Sequence, residues 1–154
     1  MRKLVILLVV FMLSGCSFFQ KQNEVIEEQM EKKGVSESVR NGDMYIKVEV
    51  TVKNDKITNV DIDEFGAKSF DGTMSGSKKE LGDSYNMKSY SEIGKEWYEQ
   101  IEALEDYIED NGIDKIELDE NGRVINTDLK MMCSIKVDEY LTLTKQAKEN
   151  AESK

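Results

Sequence analysis

The chain has no histidine and no proline, and it holds only two cysteines and one tryptophan in 154 residues. Without histidine the usual general base is missing, and neither a Ser-His nor a Cys-His couple can be assembled. Without proline no turn depends on a cis peptide bond, and glycine punctuates the chain. Cationic residues are the scarcer sign: 21 against 31 acidic residues, a formal net charge of -10. Phosphate backbones need a basic stripe, and none is present, so nucleic acid is excluded as a partner. The longest apolar run, Leu4 to Leu13, is ten residues; a membrane span takes about 20. Gly-rich phosphate loops, serine-hydrolase elbows and CxxC pairs are also lacking. What remains is enough for one folded domain: 39% hydrophobic and 34% charged residues, too apolar for a disordered chain.

The N-terminus reads Met1-Arg2-Lys3, the apolar run, then Ser14-Gly15-Cys16. A basic start, an apolar core and small residues before a cut site make a secretory signal. Leu13-Ser14-Gly15-Cys16 resembles the bacterial lipobox, which implies cleavage before Cys16 and acylation of its thiol. The expected address is the extracytoplasmic face of a cell membrane, held by lipid. Cleavage would leave 31 acids against 19 bases, and Cys133 as the one remaining thiol. An internal disulfide is thereby excluded.

The periodicities predict an α+β domain: a mainly antiparallel twisted sheet with one long central helix and a C-terminal helix. The expected divisions are a signal at 1–15, a lipidated polar tether at 16–40, the domain at 41–148 and a frayed tail at 149–154. Val25, Ile26 and Met30 suggest a weak tether helix ending near Gly34. Met44, Ile46, Val48, Val50 and Val52 alternate with polar residues, as a half-buried strand does. Asn54-Asp55 is a tight turn into a returning strand carrying Ile57, Val60 and Ile62. Residues 65–88 read as a long loop. Ser89 and Glu92 have capping-box spacing ahead of the stripe Ile93, Trp97, Ile101, Leu104 and Ile108, which ends at Asn111-Gly112. Two short strands flank Asn121-Gly122, and Ser134 is expected to cap the last helix.

Two candidate sites follow. Glu117, Asp119, Asn121 and Asp128 have nearly the spacing of an EF-hand calcium loop, although a hairpin turn explains Asn121-Gly122 with fewer assumptions. Met132, Cys133, Ser134 and Ile135 lie where a strand hands over to a helix, whose first N–H groups attract phosphate or carboxylate. The bland alternative there is a capping serine beside a small buried thiol. The carboxylate runs Asp61-Asp63-Glu64, Glu105-Asp106 and Glu109-Asp110 read as solvated charge. No catalytic constellation is visible.

The order of elements resembles the FMN-binding domain family: lipobox, tether, the hairpin Val48-Glu49-Val50-Thr51-Val52-Lys53-Asn54-Asp55-Lys56-Ile57-Thr58-Asn59-Val60, and a terminal strand-to-helix motif. The stretch from Lys78-Lys79-Glu80-Leu81-Gly82 to Trp97-Tyr98-Glu99-Gln100 is similar to a branch of small lipoproteins of anaerobic Gram-positive bacteria. The resemblance covers about residues 41 to 147. It implies FMN as cofactor, electron transfer with a redox partner, and a Ser/Thr-Gly-Ala-Thr motif whose last hydroxyl carries the flavin phosphate. Met131-Met132-Cys133-Ser134 stands in that place, with the acceptor hydroxyl kept at Ser134 and the glycine replaced by Met132. The alternative is a cofactor-free surface-binding or scaffold lipoprotein.

Overall fold

The computed structural model describes residues 30–154, so the signal, Cys16 and most of the tether lie outside the described residues. Lys32–Lys154 is one compact unit. It is α+β: three antiparallel strands in the order β1 (Lys32–Asn41), β2 (Met44–Lys53), β3 (Lys56–Phe65), followed by helices packed on one face. A small ribbon, β4 (Ala67–Lys68) with β5 (Ser75–Gly76), leads into α1 (Lys78–Leu81); α2 (Trp97–Asn111) and α3 (Asp138–Glu152) complete the fold. Among the described residues no helix is long and apolar enough to cross a membrane.

The β2–β3 hairpin forms as the sequence predicts. Asn54 and Asp55 both take positive φ, 51° and 60°, which a two-residue turn of matching twist requires. Ile46, Val48, Val50 and Val52 are buried on the helix side. In β3 the inward residues are Ile57, Val60 and Ile62, three and then two apart. Strict alternation would send Val60 outward. The pairing shifts between Thr51 and Val52, whose partners are Asn59 and Ile57, so Thr58 is an extra residue and resets the alternation.

The first correction is at 32–41. This segment is a strand, and neither tether nor helix. α3 lies along it: Ser36 Oγ donates to Leu143 O at 2.6 Å and Ser38 Oγ donates to Glu139 Oε1 at 2.9 Å. Two residues of strand advance about 6.7 Å and four of helix about 6.0 Å, so successive contacts stay in step. Gly34 is the closest approach, where a Cβ would stand 1.9 Å from Ala147 O and 2.6 Å from Ala151 N. The tail predicted to fray is therefore the second half of this contact, with Ala151 fully buried and α3 intact to Glu152.

Three further expectations change. The long loop 65–88 contains β4, β5, α1 with a Ser77–Glu80 capping box, and two short 3-10 turns. The long helix starts at Trp97, with Glu96 and Glu99 as its capping box, because Gly94 at φ 65° interrupts the chain after Ser89 and Glu92. Around Asn121-Gly122 only isolated bridges form, Leu118 with Val124 and Arg123 with Lys136.

Candidate functional site

The segment 131–135 does not build the expected helix N-terminus. Val137 N–H donates to Gly122 O at 2.8 Å and Lys136 bridges Arg123, which ties 136–137 to the 119–123 turn, and α3 begins only at Asp138. Ser134 caps nothing. Its N–H donates to Gln100 Oε1 at 2.9 Å and its hydroxyl to the same oxygen at 3.2 Å. Gln100, fully buried on α2, in turn donates to Ser91 Oγ and Lys95 O, both at 3.1 Å. Cys133 is fully buried and its thiol is pushed up to about 12 by desolvation, so it is neither nucleophile nor thiolate ligand. Met132 is exposed and Ile135 packs on the core. Ser134 has both donors committed and no helix terminus behind it, so these residues do not fit an FMN phosphate. They clamp α2 to the chain that precedes α3.

The acidic loop is likewise closed on itself. Asp119 Oδ1 accepts from Asn121 N–H at 2.9 Å and Arg123 N–H at 2.8 Å, and the Arg123 amide foremost holds its pKa below the usual carboxylate range. Asn126 Oδ1 accepts from Glu117 N–H at 2.8 Å, and Asp128 Oδ1 accepts from Leu129 N–H at 2.9 Å. Among the described residues no three acidic, cysteine or histidine side chains converge as metal ligands would. The loop is an Asx-stabilised turn.

Three carboxylates assigned to solvent, Asp63, Glu64 and Glu105, are buried; Asp63 Oδ1 accepts from Lys79 N–H at 3.2 Å. Glu64, 1% exposed, pairs with Lys78 Nζ at 2.5 Å and with Arg40 Nη1 at 3.4 Å, and accepts from Tyr140 OH. Lys78 also sits over the rings of Tyr85 and Trp97, 5.0 and 5.1 Å from their centroids. Burial, then the Glu64 charge, raises the Tyr140 pKa. This network joins β1, β3, α1, α2 and α3 and satisfies its charges internally, as a buried ion cluster must.

Glu105, on α2, accepts from Ile62 N–H at 2.6 Å and from Lys79 Nζ at 2.7 Å. Burial outweighs both donors and pushes its pKa up to about 7. Lys79 also holds Asp61 Oδ1 at 2.5 Å. Asp61 and Glu105 stand at one side of a cavity of about 600 Å³ on the sheet face away from α3, floored by Lys33, Glu49, Thr51 and Asn59. In register, Lys33, Thr51 and Asn59 form one cross-strand row, and Val35, Glu49 and Asp61 the next. Sequence reasoning placed Glu49 and Thr51 on the polar face of β2 but had no sheet partner for Lys33, because β1 was read as tether. No apolar period of two marks this strand: Val35 and Val39 stand on the outer face with Lys33 and Glu37, and the inner positions are Gly34, Ser36 and Ser38.

No protein-family model matches the chain, and no curated protein is similar to it. Among solved structures, a solution NMR structure of a Clostridium thermocellum protein, a structural-genomics target, is similar over 80% of this chain and 93% of that one, with 25% identity and a TM-score of 0.50. Its description states no activity, so the likeness supports the fold and carries no function across.

Proposed function

We propose that the chain is an extracytoplasmic, lipid-anchored binding module without a resident cofactor, whose ligand seat is the bare outer face of the β1–β3 sheet. The observation that carries this is the cavity of about 600 Å³ on that face, of the size of small-ligand sites and floored by side chains from all three strands. Its lining offers an ammonium at Lys33, an amide and hydroxyl at Asn59 and Thr51, and carboxylates at Glu49 and Asp61. The outer strands of a three-strand sheet lie about 10 Å apart. A zwitterionic or polyhydroxylated solute of that width suits this alternation of charges. With no activated nucleophile among these residues, binding rather than turnover is the activity supported. The anchor rests on the Leu13-Ser14-Gly15-Cys16 sequence alone.

The test is amide chemical-shift mapping of residues 17–154 against amino acids, short peptides and oligosaccharides. Shifts should concentrate on Lys33, Glu49, Thr51, Asn59 and Asp61, and Thr51→Trp, which fills the floor, should abolish them. Ligands that shift only residues outside β1–β3 would sink the assignment. Co-expression with a flavin transferase should leave the protein colourless, and a yellow protein would restore the flavin reading.

A further inference from the structure

We propose that the seat on the outer sheet face reads an organic anion, with Lys33 and Thr51 receiving a carboxylate of the ligand; this rests on the reading of that face as a binding surface. The cavity of about 600 Å³ there is lined by four charged side chains, Lys33, Glu49, Asp61 and Glu105. Three are acids, which by number would attract a cation, but each already holds a lysine. Glu49 Oε1 is 2.5 Å from Lys47 Nζ, Asp61 Oδ1 is 2.5 Å from Lys79 Nζ, and Glu105 Oε1 is 2.7 Å from the same Lys79 ammonium. Glu49 and Asp61 are directly opposed across β2 and β3. Like charges so placed repel, and the two lysines offset that repulsion. Lys33 is the exception: among the described residues its ammonium has no carboxylate partner.

Lys33 and Thr51 are cross-strand partners on that face, so an ammonium and a hydroxyl donor stand about 5 Å apart at their roots. Two neighbouring donors, one of them charged, suit the two oxygens of a carboxylate. Asn59, next in the row, already gives its Nδ2 to Glu109 Oε1 at 3.3 Å. Glu105 sets how positive the seat is. It is faced by Lys79 of α1 and by Asp61 of β3, with Glu109 one turn further along its own helix. Burial raises its pKa to about 7. Below that pH the carboxyl is neutral and Lys79 serves Asp61 alone, so Lys33, Lys47 and Lys79 outnumber Glu49 and Asp61. Above it three acids match three lysines. An anion is therefore drawn to the seat most strongly in mildly acidic surroundings.

The probes are N-acetyl-trialanine with a free carboxylate and its C-terminal amide, which differ in that charge alone, titrated by amide chemical shift into residues 17–154, which contain the whole core. The acid should shift Lys33 and Thr51 and bind about fivefold more tightly than the amide, as an exposed charge pair allows. Lys33→Gln should remove that difference while leaving the melting temperature unchanged, since Lys33 is exposed; Lys33→Arg should keep it, and so should Lys130→Gln, an exposed lysine elsewhere. Binding of the acid should tighten at least about twofold from pH 8 to pH 6, and Glu105→Gln should abolish that change. Acid and amide bound equally on these residues would overturn the anion assignment and leave the outer-face seat standing. An acid that shifts none of them, or whose advantage survives Lys33→Gln, overturns it as well. Sugars or free amino acids that still map to β1–β3 would then show that the seat itself had not failed.

Discussion

Gly34→Ala separates a tether from a packed strand more sharply than any other single substitution. The added Cβ would stand 1.9 Å from Ala147 O and 2.6 Å from Ala151 N, both backbone atoms of α3. Non-bonded contacts settle near 3.5 Å, so helix and strand must part by about 1.5 Å. Neither side can yield through a rotamer. A gap of 0.5–1 Å already forfeits a quarter to a half of each contact's attraction, and the parting would loosen Leu143, Ala147 and Ala151 together, all buried. Overpacking typically costs 1–3 kcal/mol; with two backbone partners the upper end, about 3 kcal/mol, is expected. For a domain of this length that lowers Tm by roughly 10 °C. Urea unfolding followed by circular dichroism measures it, with Val39→Ala, at a 76% exposed position in the same strand, as the control that stays within about 0.5 kcal/mol. A Gly34→Ala protein as stable as the control would refute the packing of α3 on β1 and restore the tether.

Two other expectations follow from buried titratable groups. Glu105 is raised from 4.5 to about 7 by burial, so the folded state holds its proton more tightly than the unfolded one; this contribution is full below pH 4.5 and is lost as pH rises through about 7. Glu105→Gln should flatten that part of the pH–stability curve, and an unchanged slope between pH 5 and pH 8 would show that Glu105 does not cause it. Cys133, buried with its pKa pushed up to about 12, should react with a thiol reagent at pH 8 only as fast as the domain unfolds; rapid labelling of the native protein would contradict its placement.

The hairpin was legible because its cause is local: two turn residues that accept positive φ and an alternation of period two. The stripe of α2 was legible for the same reason, but its start was not. Ser89 and Glu92 satisfy the capping rule as well as Glu96 and Glu99 do, and only Gly94 decides between them. β1 was hidden because Lys33, Val35, Glu37 and Val39 face outward while its inner positions are Gly34, Ser36 and Ser38, small residues admitting a helix rather than apolar ones signalling a core. Ser134 misled because a serine before acidic residues is a common cap. A long-range bond from Val137 to Gly122 postpones the helix, and sequence spacing does not encode that partner. Glu64 and Glu105 looked solvated because their cations, Lys78 and Lys79, come from a segment that carries little periodicity.

The same physics explains why one face of the sheet stays open. A three-strand sheet has two edges, and each is closed by a helix through side chains of opposite polarity. On β3, Val60 N–H donates to Glu109 Oε1 at 2.8 Å and Ile62 N–H to Glu105 Oε1 at 2.6 Å. Glu105 and Glu109 are one helical turn apart, about 6 Å, which matches two residues of strand, so α2 presents acceptors at the spacing of a neighbouring strand. On β1 the roles reverse: Asn150 Nδ2 donates to Val35 O at 2.9 Å and Lys154 Nζ to Lys33 O at 3.1 Å. These caps occupy backbone groups that would otherwise recruit another strand. The inner face is filled by the core, so the outer face is the part of the sheet left uncovered. Lys33, Glu49 and Asp61 let that face meet water without a cover, and polarity that would be costly inside the domain is what the proposed binding role would use there.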